Sequence, residues 1–159
     1  MIWIKYGGLF LLAILIESNF SRFYKIGSHT PDLFIILVAY ISLNEGKIKG
    51  TISGFTVGLI QDLIISVGFL GLSAFTKSLS GFVMGHFTDS RRSRKFPGIL
   101  VPIGIGILIN TVFANIFRSA GSSEGLLSSI ATKGIPSSIY TFILAFIIFI
   151  MVKPPEDLN

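Results

Sequence analysis

The chain has 159 residues, 51% of them hydrophobic and 13% charged. Its mean hydropathy is +0.78, so it lacks the polar coat of a soluble domain, where about 25% of residues are charged. The net charge of +5 comes from basic residues in the gaps between apolar runs, which fits loops beside anionic lipid. Basic and aromatic residues do not interleave as in a single-strand nucleic-acid binder, and the absence of cysteine excludes disulfides and thiolate chemistry.

In chain order, six apolar segments fall at about 6–23, 31–43, 50–67, 70–87, 97–117 and 135–152. Backbone N–H and C=O groups cannot go unpaired in hydrocarbon, so the pattern predicts helices. The expected fold is an all-α integral membrane protein, with six transmembrane helices in one domain over 1–159.

The first segment follows Lys5 and looks like a signal peptide, but it lacks small-residue cleavage chemistry and is read as a retained span. The second is short, because residues 33–43 cover only ~16 Å of helix. It can extend into 44–47 with snorkelling side chains. Only residues 68–71 join the third and fourth segments, which predicts a tight antiparallel hairpin. Pro102 predicts a kink in the fifth, where Asn110 and Asn115 are expected to bond between helices or near its end. The Gly- and Ser-rich stretch 119–133 reads as an external loop with room for an interfacial helix.

With six spans, both chain ends share a side. That side carries Lys5, Lys47, Lys49, Arg91, Arg92, Arg94, Lys95 and Lys153. The other side carries Arg22, Lys25, Arg118 and Lys133. Eight basic residues against four place both termini in the cytoplasm. Arg91, Arg92, Arg94 and Lys95 form a basic loop suited to anionic lipid or to a cytoplasmic partner.

Ionisable residues inside a span are costly and mark function. Glu17, Asp62 and Lys77 qualify, although Glu17 lies near the outer end of its span. Gly50, Gly54, Gly58, Asp62 and Ser66 recur every four residues in the third segment. Ser73, Lys77, Gly81 and Gly85 do so in the fourth. Folding the hairpin between Phe69 and Leu70 matches Ser66 with Ser73, Asp62 with Lys77, Gly58 with Gly81, and Gly54 with Gly85. Small residues let helix backbones approach closely, and an Asp62–Lys77 ion pair would lie between them. The alternative is that Lys77 snorkels outward while Asp62 bonds backbone or water. An ion-coupling role for Asp62 would need further polar side chains on adjacent spans, which are nearly bare.

No enzyme signature appears. His29 and His86 have no partner at metal-ligand spacing and read as interfacial, and there is no nucleophile elbow, Walker loop or dinucleotide fingerprint. No cofactor is expected.

Several motifs carry a resemblance. Pro31-Asp32-Leu33-Phe34 opens the second segment, followed by Leu37, Val38, Tyr40 and Leu43. Next come Gly54-Phe55-x-x-Gly58-Leu59-x-x-Asp62-Leu63 and Gly68-x-x-Gly71. In this order and spacing, residues 31–85 resemble the rod shape-determining protein MreD family, with Pro31, Asp32, Gly54, Gly58, Asp62, Gly68 and Gly71 as family positions. Lys77 lies outside the family's pattern. The resemblance implies a non-enzymatic inner-membrane scaffold of the cell-wall elongation machinery. It further implies binding to MreC, work alongside the MreB filament, RodA and its transpeptidase, and a fold similar to the S-components of ECF vitamin transporters. A solute-binding subunit of such a transporter is the alternative. The short first external loop (22–30), the tiny second hairpin turn and the lack of Ala-xxx-Ala around Gly7, Gly8 and Ala13 disfavour it. An intramembrane enzyme would need a nucleophile–base pair, and none is evident.

Overall fold

The computed structural model describes residues 8, 31–64, 70–87, 98–120, 128 and 130–151. The first apolar segment apart from residue 8, with Glu17, together with His29, Gly68 and the basic residues Arg91, Arg92, Arg94 and Lys95, lies outside the described residues. Among the described residues there is helix and no strand.

Helix α1 (Leu33–Glu45) begins where Asp32, in extended conformation, accepts the Ile35 N–H at 3.2 Å and so caps the first turn. It is buried on every side: Phe34 through Ala39 are all in the core, as are Ile41 and Ser42. It ends at Gly46, whose φ of 85° turns the chain at a single residue. Helix α2 (Lys47–Ile64) starts immediately afterwards, so no loop separates the two.

Helix α3 (Leu72–His86) packs along α2 in the most intimate contact of the fold, and α1 lies against both. Helix α4 (Leu100–Ala120) packs on α3. Pro102 sits in the first turn of α4, not in its interior. Its missing N–H would have had no partner within the helix, so the expected interior kink has no cause there. A π-helical turn, Ile130–Gly134, leads into α5 (Ile135–Met151), which packs on α4.

Among the described residues, two stretches are long and apolar enough to cross a membrane. They are Leu100–Phe117, of mean hydropathy 2.0, and Ile130–Met151, of mean hydropathy 2.1. Helix α1 is apolar but has only 13 residues, and α2 and α3 carry too many polar and small residues to match them. Exposed Ile139, Ile143, Ile147 and Ile150 give α5 an outward apolar stripe suited to lipid.

Candidate functional site

The site starts from a packing problem. Gly50, Gly54 and Gly58 lie on one face of α2, and each meets the α3 backbone where a Cβ would stand. On Gly54 it would run into the Lys77 carbonyl, and on Gly58 into Ser73 and Ala74. Gly50 and Gly81 abut each other, with a Cβ on Gly50 falling 2.7 Å from the Gly81 carbonyl oxygen. Gly85 closes the other end, where a Cβ would come 2.5 Å from Lys47 Cα. Real Cβ contacts are not this short, so the backbones touch only because these positions are glycine.

This register differs from the expected one by about two helical turns. Gly58 lies against Ser73 and Ala74 in place of Gly81, and Gly54 lies against Lys77 in place of Gly85. The reason is visible at the start of α3. That helix begins only at Leu72, and its N-cap, Gly71, has a φ of 95° and no side chain to satisfy the free N–H groups of the first turn. Asp62 supplies the acceptor from the neighbouring helix. Its carboxylate accepts from Gly71 N at 2.8 Å, Ser73 N at 3.0 Å and Ala74 N at 3.4 Å. A carboxylate at a helix N-terminus is also favoured by the helix dipole. Asp62 is only 2% exposed, so these bonds satisfy a group that burial would otherwise penalise.

The predicted Asp62–Lys77 ion pair is therefore corrected. Lys77 is equally buried, at 2%, and its ammonium is bound by Asp32 Oδ2 at 2.5 Å. Asp62 bonds backbone, as in the alternative reading, but Lys77 turns inward to a different acid. Asp32 becomes a junction of four helices. Its Oδ1 caps α1, its Oδ2 holds Lys77 of α3 and lies 3.5 Å from Asn110 Nδ2 of α4, and its N–H donates to Thr141 Oγ1 of α5 at 3.1 Å. Sequence reasoning marked Asp32 as a family position but not as the partner of Lys77. The available signal was its place directly before an apolar run, which is that of an N-cap.

Beside this junction lies a cavity of about 160 Å³, lined by α1, α2, α3, α4, α5 and the π-helical turn. All contribute from one end of the bundle. Asp32, Ser73 and Ser137 come from helix starts, and Gln61 and Asn115 from helix ends. Several lining hydroxyls are already engaged locally: Thr76 donates to Ser73 O at 3.3 Å and Thr141 to Ser137 O at 2.8 Å. Two buried carbonyl oxygens, Gln61 Oε1 and Asn110 Oδ1, find no hydrogen-bond partner among the described residues. Sequence reading noticed Asn110 but not Gln61, because a glutamine at the end of an amphipathic helix carries no signal of burial. No group of three or more metal-ligating side chains occurs among the described residues.

A family model for the rod shape-determining protein MreD matches residues 2–154. The chain belongs to the MreD family. The match extends well beyond residues 31–85, where the recognisable motifs lie, and takes in almost the whole sequence. The family is a membrane-protein family of rod shape determination, not one known for catalysis. Membership gives the two apolar stretches of α4 and α5 their setting. Comparisons with curated proteins and with solved structures find no match.

Proposed function

We propose that this protein is a non-enzymatic scaffold of the cell-wall elongation machinery in the bacterial inner membrane. It crosses the bilayer six times with both termini in the cytoplasm and binds an MreC-like protein through its spans. Through that partner it works with the MreB filament, RodA and its transpeptidase. The family match over residues 2–154 carries this reading. The twofold excess of basic residues on one set of loops supports the orientation. The glycine-packed α2–α3 pair supports a scaffold role, because helices locked backbone to backbone offer a partner a stiff surface. The solute-transporter alternative gains no support from the family match.

The glycine row of α2 is consumed by α3, so it is not the partner's surface. Arg91, Arg92, Arg94 and Lys95 serve as a contact for anionic lipid or a cytoplasmic partner. Affinity purification in gentle detergent, with identification of the proteins recovered, tests the proposal. An MreC-like protein is the expected companion. Recovery of paired ATPases with a shared membrane subunit would overturn the scaffold reading. Neutralising the four basic residues together is expected to weaken retention of the partner or binding to anionic vesicles, and unchanged values for both would remove the role of that loop.

A further inference from the structure

We infer that the cavity beside Asp32 and Lys77 binds a neutral polyhydroxyl group up to the size of one sugar ring. Three observations on the lining set its chemistry. The Asp32 carboxylate and the Lys77 ammonium neutralise each other in direct contact, so the site offers no net charge to an anion or a cation. Gln61 Oε1 and Asn110 Oδ1 are buried acceptors with no donor among the described residues, and Asn110 is only 9% exposed. Each such orphan costs free energy until a donor arrives. Lys77 has three N–H donors, of which Asp32 holds one. Acceptors and donors therefore line the same small space. A hydroxyl both donates and accepts, and so matches both. A phosphate would face the two carbonyl oxygens, and an ammonium would face Lys77.

Size narrows the class further. A cavity of about 160 Å³ is close to the roughly 150 Å³ site that admits one benzene ring. It is well below the roughly 300–1,000 Å³ of sites for larger ligands. One ring or a glycerol-like group fits, and an oligosaccharide does not. In the orientation proposed above, the starts of α1, α3 and α5 lie on the outer side. The group therefore enters from the outer leaflet or from the space beyond it. It comes either as a free sugar or as the headgroup of a neutral glycolipid.

Native mass spectrometry on the full-length protein, in a detergent without a sugar headgroup, tests this. The probes are methyl β-glucoside, monoglucosyl-diacylglycerol, phosphatidic acid and phosphatidylethanolamine. Binding of either glucoside in preference to both phospholipids is expected. The free glycoside binding alone assigns a soluble source, and the lipid binding alone assigns a headgroup, each supporting the site. Gln61→Met removes one orphaned carbonyl and should reduce the bound fraction at least tenfold, with helical content and Tm kept, and Asn110→Leu, which removes the other carbonyl together with the Nδ2 contact to Asp32, should do the same with helical content kept. Equal binding by wild type and both variants overturns the proposal, as does preference for phosphatidic acid or phosphatidylethanolamine. No binding of either glucoside overturns it too, and leaves the cavity to water. None of these outcomes depends on an MreC-like protein being present, so the scaffold reading stands or falls separately.

Discussion

The α2–α3 pair and the α4–α5 pair solve the same packing problem in opposite ways. Between α2 and α3 the contact is backbone on backbone, with Gly50, Gly54, Gly58, Gly81 and Gly85 at the points of closest approach. Between α4 and α5 side chains do the packing. A Cβ on Gly104 would stand 3.3 Å from the Phe142 ring, and Thr111 and Ser138 share a hydroxyl contact at 2.7 Å. The first pair has the weaker hydropathy and the tighter fit. The second contains the two stretches that, among the described residues, are apolar enough to cross a membrane. Partition into lipid and precision of packing are thus carried by different helices. Lipid tails are as apolar as leucine, so helix association in a membrane rests on close fit and polar contacts, not on greasiness.

Substitutions that fill the glycine seam should break this contrast most visibly. Gly54→Leu would drive a branched side chain into the Lys77 backbone and should cost about 4 kcal/mol or more. Loss of the monodisperse peak in size-exclusion chromatography would report it, and a Gly54→Leu protein with wild-type Tm would refute the seam.

Next in size is the Asp32 junction. Lys77→Met should destabilise by roughly 2–3 kcal/mol, less than the 3–5 of a fully buried pair, because Asp32 is 23% exposed. Adding Asp32→Asn should recover part of that loss. A double-mutant cycle read by denaturant titration should give clear coupling for Asp32 with Lys77 and near-additivity for Asp62 with Lys77. The reverse pattern would restore the ion pair expected from sequence.

Asp62→Ala should cost about 1–3 kcal/mol by orphaning the first-turn N–H groups of α3. Hydrogen exchange at Gly71, Ser73 and Ala74 should rise specifically, and protection unchanged at those amides would argue against the cap. At the lower end, Gly104→Ala should cost less than about 1 kcal/mol, since an aromatic edge can yield by a few tenths of an ångström. A loss in Tm as large as that of Gly54→Leu would erase the distinction between the two pairs.

The sequence revealed which faces meet but not how far along they slide. A four-residue spacing of glycines marks a helix face whatever its neighbour, so Gly50, Gly54 and Gly58 were legible as a packing row. Register required knowing where α3 begins, and that depends on Asp62 meeting N–H groups nine to twelve residues away. A fold-back rule centred on residues 68–71 cannot see this, because it treats Asp62 as a charge seeking a charge. The cavity was less legible still. Its lining runs from Pro31 to Thr141, and nothing local to Gln61 or Asn110 shows that their carbonyls face the same space.

One feature of α1 bears on how the protein is made. Thirteen residues give about 20 Å of helix, against a hydrocarbon core of about 30 Å. Within the finished bundle this shortfall is harmless, since α1 is enclosed by protein on every side. During synthesis that enclosure does not yet exist. A segment this short is a poor substrate for lateral release into lipid by itself, and Gly46 ties it directly to α2. The enclosure of α1 is therefore complete only once α3 has been made and has closed the glycine seam against α2.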